Sequence, residues 1–118
     1  MKNKHGVELR QWALVRLKFR ATDRDTHPGV IVSNEEQCAD ERIARVNVLH
    51  GTKTAPGNPV RLHQVMLNGA EGLDFPTAID CSYFYGVAKD EIVGAVGLVG
   101  AERRRVLRRK IIEVLRLL

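Results

Sequence analysis

The sequence predicts an α+β fold, a small β-barrel of five to six short antiparallel strands closed by one C-terminal amphipathic helix. Three observations carry that expectation. Short apolar runs recur over residues 12–99 at spacings too short for crossover helices, which favours an antiparallel meander. Clusters of Pro, Gly, Asn and Asp separate those runs. Only residues 101–118 sustain a helical period, with Leu107, Ile111, Val114, Leu115 and Leu118 in one apolar stripe and most arginines opposite.

The chain is organised around His27-Pro28-Gly29-Val30-Ile31-Val32-Ser33-Asn34, read as a central strand. Its β-branched residues suit extended backbone, Pro28 is tolerated only at a strand's start, and Gly29 admits a close neighbour. Ser33-Asn34 ends it as a turn. Before it, Ala13, Val15, Leu17 and Phe19 alternate with Trp12, Leu14, Arg16 and Lys18, a first strand with a half-basic outer face. After it, Ile43, Val46, Val48 and Leu49 form a third strand, with one helical turn at Glu35-Glu36-Gln37 between. In an antiparallel meander the start of the central strand lies beside the end of the third. That geometry brings His27 near His50 and Thr52.

Residues 50–59 read as loop, residues 60–67 as a fourth strand and residues 77–85 as a fifth. Lys89-Asp90-Glu91-Ile92 suits one helical turn. The final strand lies within residues 94–100, where the glycines suggest close packing or a bulge. Residues 1–9 read as a flexible leader and residues 10–118 as a single domain.

Apolar residues make up 44% and charged residues 28% of the 118, which excludes wholesale disorder. No run approaches the roughly 18 apolar residues of a membrane span, and Met1-Lys2-Asn3-Lys4-His5 precedes no apolar signal region, so the expected setting is cytoplasmic, with no membrane partner. Cys38 and Cys81 have neither metal nor redox spacing and read as reduced structural thiols; no metal or other cofactor is expected. Nineteen Lys and Arg against fourteen Asp and Glu give a net charge of +5, which favours a polyanionic partner. The C-terminal basic run reads as a solvated helix face whose later turns suit the helix dipole. The run Arg10, Arg16, Lys18, Arg20 and Arg24 is the more suggestive one.

The order of these signals resembles the MazF/PemK (Kid)-type toxins of bacterial type II toxin-antitoxin systems, over about residues 10–118. Trp12-Ala13-Leu14-Val15-Arg16-Leu17 is similar to that family's first strand. The segment from His27 to Asn34 is similar to its Arg-Pro-Ala-Leu-Val-Val-Ser-Asn stretch, and Val46-Asn47-Val48-Leu49-His50-Gly51-Thr52 to its third strand. Gly72-Leu73, Pro76-Thr77-Ala78-Ile79-Asp80-Cys81 and Val96-Gly97-Leu98-Val99 resemble later segments.

The resemblance implies an SH3-like barrel that forms a homodimer, cleaves single-stranded RNA without a metal, and is neutralised by a cognate antitoxin. In that chemistry a ribose 2′-hydroxyl attacks the adjacent phosphate, which requires a base, an acid and a cation for the phosphorane charge. His27 stands where many members carry Arg, and Asp80 and Ser82 stand where Kid-like members carry Arg and Asp around the cysteine. An imidazole changes charge near neutrality, so His27 suits base or acid. Thr52 suits a hydrogen bond to a phosphate oxygen and Arg24 a phosphate clamp, completing the expected catalytic set. Arg16, Lys18, Arg20, His50, Lys53, Asp80 and Ser82 are the expected RNA contacts.

Three aromatic residues have two readings. Trp12, Tyr83 and Tyr85 suit base stacking, or packing in a core or dimer. The alternative function is a non-enzymatic CcdB-like toxin acting on gyrase through the terminal helix, or a decayed RNA-binding barrel. Charge placed around His27 and Thr52 favours the nuclease; specific contacts at the helix end favour the gyrase-directed reading.

Overall fold

The computed structural model describes residues 1–18, 24–55 and 57–117. Seven strands and two helices follow in the order β1 (Ala13–Leu17), β2 (His27–Ile31), α1 (Glu35–Ala39), β3 (Arg45–Lys53), β4 (Gln64–Leu67), β5 (Thr77–Asp80), β6 (Tyr85–Ala88), β7 (Ile92–Leu98) and α2 (Ala101–Leu115). All ladders are antiparallel, in the order β4-β5-β3-β2-β1-β7, with β6 also on β3. The α+β class, the meander and the terminal helix match expectation; the strand number is seven rather than five to six.

The difference arises at two places. Residues 77–85, expected as one strand, divide into β5 and β6 because Asp80 turns the chain: its Oδ1 accepts the Ser82 backbone N–H at 2.8 Å and the Ser82 hydroxyl. β3 also runs on through His50, Gly51, Thr52 and Lys53, expected as loop, because β5 pairs there in the register Gly51–Ile79, Thr52–Ala78 and Lys53–Thr77. Conversely, residues 60–63 are not strand; Gln64 N–H bonds back to the Arg61 carbonyl at 3.0 Å, and β4 starts only at Gln64. The helical turns expected near Glu35 and Lys89 are present, the first capped by the Asn34 side chain accepting from Gln37 N–H at 2.8 Å.

β1 is buried on both faces apart from half-buried Arg16, so it has no half-basic outer face. Ala13, Val15 and Leu17 join Ile31, Val48, Val87 and Ile92 in one core, while Trp12 and Leu14 join Val30, Leu49, Val65, Leu67, Ile79 and Cys81 in another. Leu107 of α2 is fully buried in the second core, with Ile111 packed beside it. The first core lies beneath Cys38 of α1 and the N-terminal segment. That segment packs where a flexible leader was expected: Val7 and Leu9 are buried, Leu9 N–H bonds to the Met1 carbonyl at 3.0 Å, and the Asn3 amide donates to the carbonyls of Lys89 and Ile92. Burial of Val7 and Leu9 and the hydrogen bonds of Asn3 together hold this segment against the sheet.

The arginines of α2 do not suit its dipole. The helix begins at Ala101, so Arg103, Arg104 and Arg105 stand near its positive end, and its last turn holds no basic residue. Specific partners offset this: Arg104 Nε donates to the Val99 carbonyl at 2.6 Å, and Arg103 Nε lies 3.5 Å from buried Glu71.

The ends of the sheet, β4 and β7, share no ladder. They meet through the turn after β4, where Gly72 in a left-handed conformation (φ +93°) lies against Val96 and Gly97 lies against Glu71. A Cβ on Gly97 would stand 2.7 Å from the Glu71 carbonyl oxygen. Gly97→Ala is therefore expected to destabilise the protein by about 1–3 kcal/mol. Gly69→Ala, where a Cβ meets nothing within 4 Å, should differ little from wild type. Chemical denaturation of the two variants checks this, and equal midpoints would refute the close approach.

Candidate active site

The candidate site follows from side-chain alternation on β2 and β3. Gly29 pairs with His50, so Thr52 falls opposite His27, and all four side-chain positions share one face of the sheet. Gly29 leaves the position opposite His50 without a side chain, and Leu17 of β1 fills the space beneath: a Cβ on Gly29 would come within 2.7 Å of Leu17 Cδ1. His27 thus reaches diagonally toward His50, with ring centroids 5.7 Å apart and planes at 40°. Apolar Leu17, Ile31 and Val48 floor this face, which becomes polar where β2 starts and β3 ends.

A recess of about 500 Å³ opens here, lined by Asp25, Thr26, His27, Pro28, His50, Gly51, Thr52 and Lys53. His27, Thr52 and Lys53 are exposed and His50 is half-buried. Two further side chains, Tyr85 and Asp80, border His50. Tyr85, opposite Val48 on β6, has its ring centroid 5.8 Å from that of His50, and Tyr83 lies 6.3 Å beyond Tyr85. Asp80 of β5 stands one residue past the Gly51–Ile79 pair, and its Oδ2 is 4.0 Å from His63 Nε2.

Burial lowers the proton affinity of His50 below the ordinary histidine value, and the neighbouring His27 lowers it further, while Asp80 pulls the other way. The imidazole that results favours its neutral form. Burial also raises the thiols of Cys38 and Cys81, the latter to about 12 with the Asp80 charge adding to the effect, so both cysteines rest protonated as expected of structural thiols.

The structure brings together His27, His50, Thr52 and Lys53 of the expected site residues and sets Asp80 at the border. Lys53 borders the recess at its edge, but it is one residue out of phase with Thr52, and its Nζ lies 5.5 Å from the centre of the Phe75 ring, which lines a recess on the other face. The expected basic cluster is dispersed. Arg16 lies out of phase with Leu17, which pairs with His27, so alternation sends its side chain to the other face, into a recess with Pro28, Lys53, Asp74, Phe75 and Thr77. Lys18 lines a neighbouring recess with Lys4, His5, Asp90 and Glu91. Arg24 is exposed in the bend before β2 and does not line the His27 recess, and Arg20 lies outside the described residues.

Ser82, expected as an RNA contact with Asp80, bonds to the Asp80 carboxylate in a local turn. Trp12 is core, whereas Tyr83 and Tyr85 are exposed at 60% and 43%. His63 carried no sequence signal, because its place beside Asp80 depends on the register Gln64–Asp80 between β4 and β5.

No family model and no curated protein matches the sequence. Solved structures do match it in fold, and they are small endoribonuclease and toxin chains. An endoribonuclease from Mycobacterial species aligns at TM-score 0.72 and 16% identity over 92% of each chain. Another Mycobacterial endoribonuclease, in complex with its cognate antitoxin, aligns at TM-score 0.73 and 19% identity over 95% of this chain and 98% of that one. The MazE–MazF complex of Deinococcus radiodurans gives 0.66 and 16% over 92% and 96%. The chain has the MazF-type toxin fold.

The lowered proton affinity of His50 has a thermodynamic consequence. Below about pH 6.5, the ordinary histidine value, the unfolded chain takes up this proton more readily than the folded one, so folded stability falls as pH drops through that range. His50→Gln is expected to flatten the loss of stability between pH 7 and 5, as read from urea midpoints. Parallel wild-type and variant curves would refute the assignment.

Proposed function

We propose that the protein is the toxin of a type II toxin-antitoxin pair, acting as an endoribonuclease on single-stranded RNA at the His27–Thr52 recess. The observation that carries this reading is the convergence of His27, His50 and Thr52 on one recess, with Lys53 at its edge, in a net basic chain with the MazF-type fold. Each residue type supplies something that cleavage by a 2′-hydroxyl needs. An imidazole moves a proton near neutral pH, the Thr52 hydroxyl donates to a phosphate oxygen, and the Lys53 ammonium balances charge that grows on the phosphorane. Arg24, one bend away from β2, is suited to a phosphate further along the strand. Exposed Tyr85 beside His50, with exposed Tyr83 beyond it, offers ring faces for bases, as single-stranded RNA recognition requires.

The antitoxin-bound Mycobacterial structure supports a cognate antitoxin protein as a partner, and a homodimer belongs to the same proposal. Among the described residues no helix is long and apolar enough to cross a membrane, and an RNA substrate sets the protein in the cytoplasm. The recess favours this reading over a gyrase-directed binder, which would act through the end of α2.

The test is cleavage of a long single-stranded RNA in the presence of EDTA. Wild-type protein should give discrete cuts with cyclic phosphate ends, and His27→Ala or Thr52→Ala should slow cutting by about 10²-fold or more. RNA left intact by folded wild-type protein would overturn the reading.

A further inference from the structure

We propose that His27 and His50 are the two halves of one acid–base pair: His50 takes the proton from the attacking 2′-hydroxyl and His27 delivers one to the departing 5′-oxygen. The inference rests on the ribonuclease reading above and adds to it a catalytic role for His50 and a direction for both rings.

The geometry carries the pairing. Two imidazoles on adjacent strands, 5.7 Å between centroids, line one recess together with Thr52. The absent side chain at Gly29 makes this approach possible, and Leu17 packed beneath fixes the strand that bears His27. The two rings are not equivalent. His50 lies in mid-strand, half-buried, with the Tyr85 ring 5.8 Å away, and the cost of charging it there favours the neutral imidazole a base must be. His27 is the first residue of β2 and is exposed at the rim, where an imidazolium keeps its water and meets the side of the recess that holds Asp25.

The groups facing the pair are defined. Asp80 of β5 faces His50, with His63 at 4.0 Å behind that carboxylate; Tyr85 of β6 flanks it, and Lys53 stands on its own strand. Asp80 moderates the loss of proton affinity without cancelling it, since the net shift of His50 is downward.

The step balances. The 2′-oxygen forms a bond to phosphorus as its proton passes to a ring nitrogen of His50. The phosphorus–O5′ bond breaks, its electron pair leaves with O5′, and that oxygen takes the proton carried by His27. The products are a 2′,3′-cyclic phosphate and a 5′-hydroxyl. The pair ends with its proton on the other ring, and exchange with water resets it.

The experiment compares two RNA oligonucleotides that span a mapped cut site, one natural and one with the 5′-bridging oxygen replaced by sulfur. A thiolate leaves without protonation. His27→Asn should slow the natural oligonucleotide by about 10²–10⁴-fold and cleave the sulfur one nearly as fast as wild type, whereas His50→Asn should slow both alike. A second measurement needs no variant. The wild-type pH–rate profile should be bell-shaped on the natural oligonucleotide, rising as the base loses its proton and falling as the acid loses its own, and the falling limb should vanish with sulfur.

Wild-type cleavage with both variants slowed alike on both oligonucleotides, with the pattern reversed, or with a falling limb kept on sulfur would overturn the pair and leave the ribonuclease reading standing. Natural RNA left uncut by wild type would overturn both.

Discussion

The structure depends on one edge of β3. That strand gives its other edge to β2, and on the free edge it serves two partners in succession: β6 along Arg45–Val48 and β5 along Gly51–Lys53. The two ladders are out of step with each other, so the chain between Asp80 and Tyr85 must leave the sheet and return, and the Asp80 carboxylate, bonded to Ser82, makes that departure. Leu49 and His50 fall in the gap between the ladders. A half-buried imidazole is tolerated there because the sheet is locally open on that side, and Tyr85 comes back beside it because β6 resumes at Val48.

The same arrangement explains why chemistry and packing do not compete. The recess sits where the Leu17–Ile31–Val48 core ends, while the helix covers the opposite face through Leu107 and Ile111. The left-handed Trp12 (φ +69°) lies at the transition into β1 and stays in place because both of its backbone groups are bonded across the sheet, to the Ile31 carbonyl at 2.7 Å and the Val99 N–H at 2.9 Å.

Most of the architecture was legible in the sequence, and so was the part of the site that depends on adjacent strands. His27-Pro28-Gly29 reads as a strand start from local sterics alone, and a short hairpin-like return then fixes its neighbour, which is why His27, His50 and Thr52 were expected together. What failed was long-range. The division of residues 77–85 and the extension of β3 to Lys53 both follow from β5 finding β3 across an intervening strand, a pairing with no local signature. Arg16 was expected beside His27 because its strand was read without its partner: Leu17 pairs with His27, so Arg16, one residue away, turns to the other face, where Pro28 and Lys53 border its recess. The N-terminal residues were read by polarity, yet Val7 and Leu9 are buried and Asn3 is satisfied by carbonyls some 86 and 89 residues away. His63 became visible only once β4 was placed beside β5.

Each core holds one cysteine, Cys38 beneath α1 and Cys81 under α2, and both thiols are sealed from solvent and held protonated. A reagent can reach either sulfur only when the layer above it lifts. The protein therefore carries two built-in reporters of local opening, one on each side of a single sheet, so breathing on the recess side and on the helix side can be timed separately in the unmodified chain.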